Sequence, residues 1–170
     1  MNAIHSEKRG AAAGRQASTR TRAPKHLGVD RSSPFKPVDF LGKCWGVDEE
    51  DERALALDEI DLAAVRLETV LAPGEAPLHG EARLERLKQH GVVRLDAMVF
   101  HALWENQRLI PKHWQDERSA ILFDGTILYH LQANRYVLCL YWREGRWHWN
   151  TCWLGDKLSR NDFSAVLPLI

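Results

Sequence analysis

The sequence predicts an α+β fold: three to four N-terminal helices packed on a four-stranded antiparallel β-meander, preceded by a disordered basic tail. Three observations carry that prediction. Apolar residues recur at helical spacing between positions 57 and 114. Between positions 119 and 155, short runs of alternating apolar and aromatic residues are separated by turn-forming residues. The first 37 residues are rich in Ala, Gly, Ser, Thr and Pro, and they are basic.

The chain has 170 residues, 45% apolar and 27% charged, which is room for one domain and a tail. Its 23 basic and 23 acidic residues cancel, but unevenly: residues 1–37 hold eight Lys or Arg against two acids, a charge of +6 that leaves −6 on residues 38–170. The large apolar residues of the tail are Ile4, Leu27, Val29 and Phe35, too few to offset the entropy of ordering it. The expected organisation is therefore a tail over 1–37 and one domain over 38–170, helical over about 55–117 and sheet over about 119–155. A basic tail has three readings. It solvates the protein, it binds an acidic surface such as nucleic acid through Arg9, Arg15, Arg20, Arg22 and Lys25, or it is a targeting segment. The third lacks an amphipathic face, and a plain solvating tail is the reading preferred. No apolar run is long enough to span a membrane and no apolar stretch follows the initial Met, so the expected location is the cytoplasm, without membrane contact.

The body opens with a short apolar stretch over residues 40–47, expected to pin the chain onto the domain. The acidic run 48–52 reads as a solvated loop, because contiguous carboxylates without a turn scaffold do not converge on one ion. A first helix is expected from an Asp58 cap to Pro73-Gly74, with Leu57, Ile60, Ala64, Leu67 and Leu71 on one face. Alternation at Ile60 and Leu62 offers a competing extended reading over its first residues. A second helix over 80–90 carries Leu84 and Leu87 and ends at Gly91. Asp96 caps a third with Val99, Phe100, Leu103 and Trp104 on one stripe, and Pro111 starts a short fourth that carries Trp114. Two helices around a glycine turn admit a helix-turn-helix exposing His101, Glu105, Asn106 and Arg108, a weak phosphate anchor on an acidic body.

In the sheet half, Asp124-Gly125 between apolar runs predicts a two-residue hairpin turn. Gln132-Ala133-Asn134 predicts a second turn and Arg143-Glu144-Gly145-Arg146 a third. A tight third turn sets Trp142 opposite Trp147, Leu140 opposite Trp149 and Leu138 opposite Thr151. One face then collects Ile121, Phe123, Leu128, Tyr136, Leu138, Leu140, Trp142, Trp147, Trp149 and Trp153, apolar enough to need a helical cover. The opposite face holds Val137, Cys139, Tyr141, His148, Asn150 and Cys152.

No nucleotide-binding loop, serine elbow or CxxC motif is present, so no catalytic residue, metal or cofactor is expected. The three cysteines fit a reducing compartment, and Cys139 and Cys152 fall as diagonal neighbours. The leading functional expectation is a small non-enzymatic binding or adaptor domain with a protein partner. Its contact residues would be Tyr141, His148 and Asn150 on the polar face, and Trp147 and Trp153 at an aromatic edge. The alternatives are a nucleic-acid-associated protein acting through the tail, with or without the helix pair, and a hydrolase or nuclease of unknown type.

The strings LDAMVFHALWENQRLIPKHW (95–114), FDGTIL (123–128), RYVLCLYWREGRWHWNTCWLGD (135–156) and SAVL (164–167), with FLGKCWG (40–46) ahead of them, resemble a family of small uncharacterised bacterial proteins. The resemblance covers most of 38–170 and leaves the basic tail outside it. It implies a bacterial intracellular protein and brings no activity, so it assigns no functional residue.

Overall fold

The computed structural model describes residues 26–131 and 134–169. In chain order these form β1 (His26–Gly28), α1 (Pro37–Leu41), β2 (Trp45–Glu50), α2 (Glu52–Leu55), β3 (Glu59–Asp61), β4 (Arg66–Glu68) and β5 (Leu78–His79). There follow α3 (Gly80–Gln89), β6 (Val92–Arg94), α4 (Ala97–Glu105), two single 3₁₀ turns, β7 (Ala120–His130), β8 (Arg135–Arg143), β9 (Arg146–Trp153), β10 (Lys157–Leu158) and β11 (Asp162–Pro168). The centre is a seven-stranded sheet in the order β4-β11-β7-β8-β9, with β2 also on β7 and β6 also on β11. All its pairings are antiparallel except β11 with β7. This corrects the expected architecture: short helices are interspersed among strands of a large mixed sheet, and no N-terminal helical layer stacks on a four-stranded meander.

The largest departure lies over residues 57–71. Ile60 pairs with Leu27 across β3 and β1, and Leu67 pairs with Ala165 across β4 and β11. Between them the Asp61 side chain accepts the Ala63 N–H at 2.9 Å and its carbonyl accepts the Ala64 N–H at 2.9 Å, closing a turn. This strand–turn–strand buries Ile60 and Leu62, the alternation that competed with a helix, together with Val65. Their long-range partners decided between the readings, because β pairing depends on context more than helix propensity does. One such partner is β1, inside the expected tail. Leu27, Val29 and Phe35 are core residues, and the Arg31 guanidinium donates to the Asp96 carboxylate at 2.6 Å and to the Ala54 and Leu57 carbonyls at 2.9 Å each. Residues 26–37 therefore belong to the folded body. Arg9, Arg15, Arg20, Arg22 and Lys25 lie outside the described residues.

The second and third helices form where their signals place them. Gly91 takes φ +62° after α3, and the Asp96 side chain accepts the Val99 N–H at 2.9 Å to cap α4. Pro111 precedes only a single 3₁₀ turn, which buries Trp114. Strand β6 separates α3 from α4 and pairs with β11, so the pair is not a helix-turn-helix. The two helices lie on opposite sides of the sheet. Val99, Phe100 and Leu103 of α4 cover Ile121, Phe123, Leu138 and Leu140, whereas Leu84 of α3 covers Leu122, Ile127, Val137 and Cys139. The face expected to be polar is thus apolar at its centre and polar only toward the β8–β9 turn.

Asp124-Gly125 is not a turn. Residues 120–130 form one continuous strand with a bulge, in which Phe123 pairs with Leu138 and Leu128 with Tyr136. Leu128 therefore does not face Leu138 or Ile121, as a hairpin would require. Gly125 is needed for close approach: a Cβ there would collide with the Arg94 carbonyl as the chain crosses from β6 to α4. The Gly125 N–H donates to the Leu95 carbonyl at 2.8 Å, and the Asp51 N–H donates to the Gly125 carbonyl at 2.7 Å. The buried Arg94 guanidinium donates to the Asp124 carbonyl at 2.9 Å. The Asp124 carboxylate accepts the Ser164 hydroxyl and faces the buried Arg83 at 3.8 Å.

The acidic run is structural as well. Residues 45–50 form β2, and Glu49 bridges Arg94, Lys88 and Arg135 at 3.0–3.1 Å. Asp51 is buried, caps α2, and accepts from Arg53 at 2.8 Å and from the Arg94 backbone at 3.1 Å. Burial alone would raise both carboxylates, but the hydrogen bonds and charges of these partners hold Asp51 and Glu49 below their ordinary values.

Two outcomes follow for stability. Gly125→Ala forces backbone apart at the bulge and is expected to cost ~3 kcal/mol, whereas Gly28→Ala, with open space around it, changes little; urea midpoints check the pair. A carboxylate with a depressed folded-state pKa stabilises above its unfolded value, about 4, and that stability is lost as pH falls through the folded value. Urea midpoints should therefore fall below about pH 4, and Asp51→Asn, already destabilised at neutral pH by leaving Arg94 short of a partner, should lose less on acidification.

Candidate interaction edge

The β8–β9 hairpin closes on Glu144 and Gly145 at φ +52° and +74°, the double left-handed turn whose twist matches its strands. Trp142 pairs with Trp147, Leu140 with Trp149 and Leu138 with Thr151, the register that the turn residues imply. Strand β9 ends the sheet, and among the described residues no strand pairs with its outer side. The Leu154 N–H donates to the Arg135 carbonyl at 2.9 Å on β8. Hydrogen bonding alternates along an antiparallel strand, so His148, Asn150 and Cys152 turn their backbone groups toward β8. Trp147, Trp149, Thr151 and Trp153 turn theirs outward. One of those outward N–H groups, that of Thr151, donates to the Asn150 side chain at 2.8 Å.

Side chains on the α4 side of the edge grade from core to solvent. Trp147 is 5% exposed and belongs to the core, not to an exposed aromatic edge. Trp149 is half-buried against Phe40 at 4.6 Å and Phe100 at 6.2 Å between ring centroids. Trp153 is 41% exposed, with its ring lying over Gly155.

On the other side, Tyr141 and His148 stack at 5.3 Å and 13°, and the Arg143 guanidinium lies 5.9 Å above the Tyr141 ring. His148 Nε2 is enclosed without a hydrogen-bond partner among the described residues. Asn150 is exposed beside them. The structure thus brings Tyr141, His148 and Asn150 together and separates them from Trp147 and Trp153, which project to the opposite side.

Two adjoining depressions of about 370 Å³ each flank β9 and share Cys152 and Asp162; one opens on this face, and the other lies at the C-terminal end of the strand, where Thr151 and Trp153 of the opposite face also line it. Tyr141, Asn150 and the segment 117–120 line one; Trp153, Asp156 and Lys157 line the other. Asp162 is held by the Ser159 N–H at 2.6 Å and the Ser159 hydroxyl at 2.8 Å. Cys152 Sγ lies 2.9 Å from Cys139 Sγ. That hydrogen bond, burial and the nearby Asp162 and Asp124 push the Cys152 thiol far up, so it stays protonated at neutral pH and is a poor nucleophile. Sequence reasoning missed Asp162, which β11 brings here through a parallel pairing with β7 that leaves no local turn signal, and the 117–120 wall, which leads into β7 and is set beside β8 by the Ala120–Tyr141 pairing. The sequence-visible trace of the edge is Asn150 itself, a poor strand former amid aromatic and β-branched neighbours.

Among the described residues, no three His, Cys, Asp or Glu side chains gather as a metal centre requires, and no helix is long and apolar enough to cross a membrane. No family model, curated protein or solved structure matches the chain.

The two edge tryptophans should separate cleanly in thermal or urea unfolding. Trp147→Ala is expected to cost ~3–5 kcal/mol as a core truncation, and Trp153→Ala less than ~1 kcal/mol.

Proposed function

We propose that this protein is a small non-enzymatic binding domain that captures an extended polypeptide segment of a partner protein by strand addition along β9. The observation that carries the reading is the open edge itself. Eight residues of β9 end the sheet, and Arg146 is the one charged residue among RWHWNTCW. Edge strands are ordinarily blunted by charges, proline or short length; here a single side chain, Asn150, occupies a single outward N–H. An added strand would take its main-chain hydrogen bonds from Trp147, Trp149, Thr151 and Trp153. Its alternate side chains would lie over the exposed Trp153 ring on one face and enter the depression lined by Tyr141 and Asn150 on the other, the division of affinity and specificity that strand addition uses. A cytoplasmic setting fits the three free cysteines.

The test uses a library of short random-sequence peptides and the full chain. Thr151→Pro removes an N–H that points away from β8, so the hairpin should keep its ladder while the proline ring obstructs an incoming strand. Selected peptides should protect the Trp149 and Trp153 amides from deuterium exchange and lose ~10-fold or more in affinity to Thr151→Pro. Asn150→Ala frees the Thr151 N–H and should bind at least as tightly as the native chain. Peptides that bind Thr151→Pro unchanged would overturn the reading. So would self-association abolished by that substitution, which would assign the edge to a second copy of the chain.

A further inference from the structure

We propose that Cys139 and Cys152 form a modifiable dithiol, converted by a low-molecular-weight disulfide into a reversible cross-link between β8 and β9. Cys139 pairs with Asn150 and Cys152 with Val137, so the two residues are diagonal across the ladder, with their sulfurs 2.9 Å apart. A disulfide bond is about 2.05 Å, so less than about 1 Å of further approach of the two sulfurs is needed. Access is asymmetric. Cys139 is 2% exposed, at the floor of one depression, whereas Cys152 is half-buried and lines both. A small disulfide entering from solvent therefore meets Cys152 first, with Cys139 directly behind it as the resolving thiol. Cys44, exposed at the start of β2, supplies an internal comparison.

The chemistry balances without any other reactant. Cys152 loses its proton to solvent and attacks one sulfur of the small disulfide; the S–S bond breaks, a mixed disulfide forms on Cys152, and the first small thiol leaves with a proton. Cys139 then loses its proton and attacks the Cys152 sulfur, forming the protein disulfide and releasing the second small thiol. Two protein thiols are oxidised and one small disulfide is reduced to two thiols. The protonated resting state of Cys152 makes the first step slow, so the pair responds to sustained exposure.

The experiment incubates the folded full chain with oxidised glutathione, blocks residual thiols with iodoacetamide and maps the peptides by mass spectrometry. The expected product links the β8 and β9 peptides through Cys139 and Cys152 with the loss of two hydrogens, while Cys44 carries glutathione or the alkyl group; dithiothreitol restores both thiols. Cys139→Ser should trap glutathione on Cys152, and Cys152→Ser should leave Cys139 unmodified. The proposal is overturned if, in the native chain, Cys139 and Cys152 remain separately alkylatable after exposure that modifies Cys44. It is equally overturned if glutathione persists on Cys152 with Cys139 beside it. The native-chain result decides the matter even if either serine variant fails to fold.

Discussion

The close crossing of two backbone segments at Gly125 is the constraint on which the rest of the molecule depends. The chain leaving β6 for α4 runs so near the β7 bulge that only a residue without a Cβ fits beneath the Arg94 carbonyl. The Leu95 carbonyl and the Asp51 N–H use the two main-chain groups of Gly125, so the bulge is hydrogen-bonded on both sides. Beside it, the Thr126 hydroxyl accepts the Ala97 N–H at 3.0 Å and so sets the first turn of α4. Asp96, one residue earlier, caps that helix and draws in Arg31 from the N-terminal segment. One bulge thereby positions β7, the start of α4, the entry to α2 and the strap that carries β1.

Charge completes the same assembly. Arg94 and Arg83 are buried on either side of the Asp124 backbone and carboxylate, and Asp51 and Glu49 supply the neighbouring anions. A buried guanidinium is costly unless its donors find partners. Arg94 reaches Asp51, Glu49 and the Asp124 carbonyl. Arg83 reaches the Asp162 carbonyl at 2.7 Å, while its buried Nε has no hydrogen-bond partner among the described residues. The second contact links the α3 side of the sheet to the start of β11, and so to the wall of the depressions beside β9.

The parts of this design that are local in sequence were legible. Asp96 as a cap, Gly91 as a helix stop and the register of the β8–β9 hairpin each depend on residues within a few positions of one another, and each holds. The apolar face of the sheet also survives, even though the Asp-Gly turn used to derive it does not, because Ile121, Phe123 and Leu128 keep their side despite the bulge. What was not legible is long-range. Ile60 becomes strand because Leu27 pairs with it; the acidic run becomes strand because β7 pairs with it and Arg94, Lys88 and Arg135 neutralise it. Asp124-Gly125 has the composition of a turn and the burial of a core site, and only the crossing chain distinguishes the two. Of the expected contact residues, the placement of Tyr141, His148 and Asn150 on one face followed from alternation alone. The burial of Trp147 depended on a cover that alternation does not reveal.

Among the described residues, the outward backbone groups of β9 have no strand partner, and Asn150 occupies one of them. Amide hydrogen exchange of the isolated chain, resolved residue by residue, tests this most directly. Exchange should be slow at His148, Asn150 and Cys152, fast at Trp147, Trp149 and Trp153, and intermediate at Thr151. Uniformly slow exchange along 146–153 would mean that the edge is already paired and that β9 is not open to an added strand.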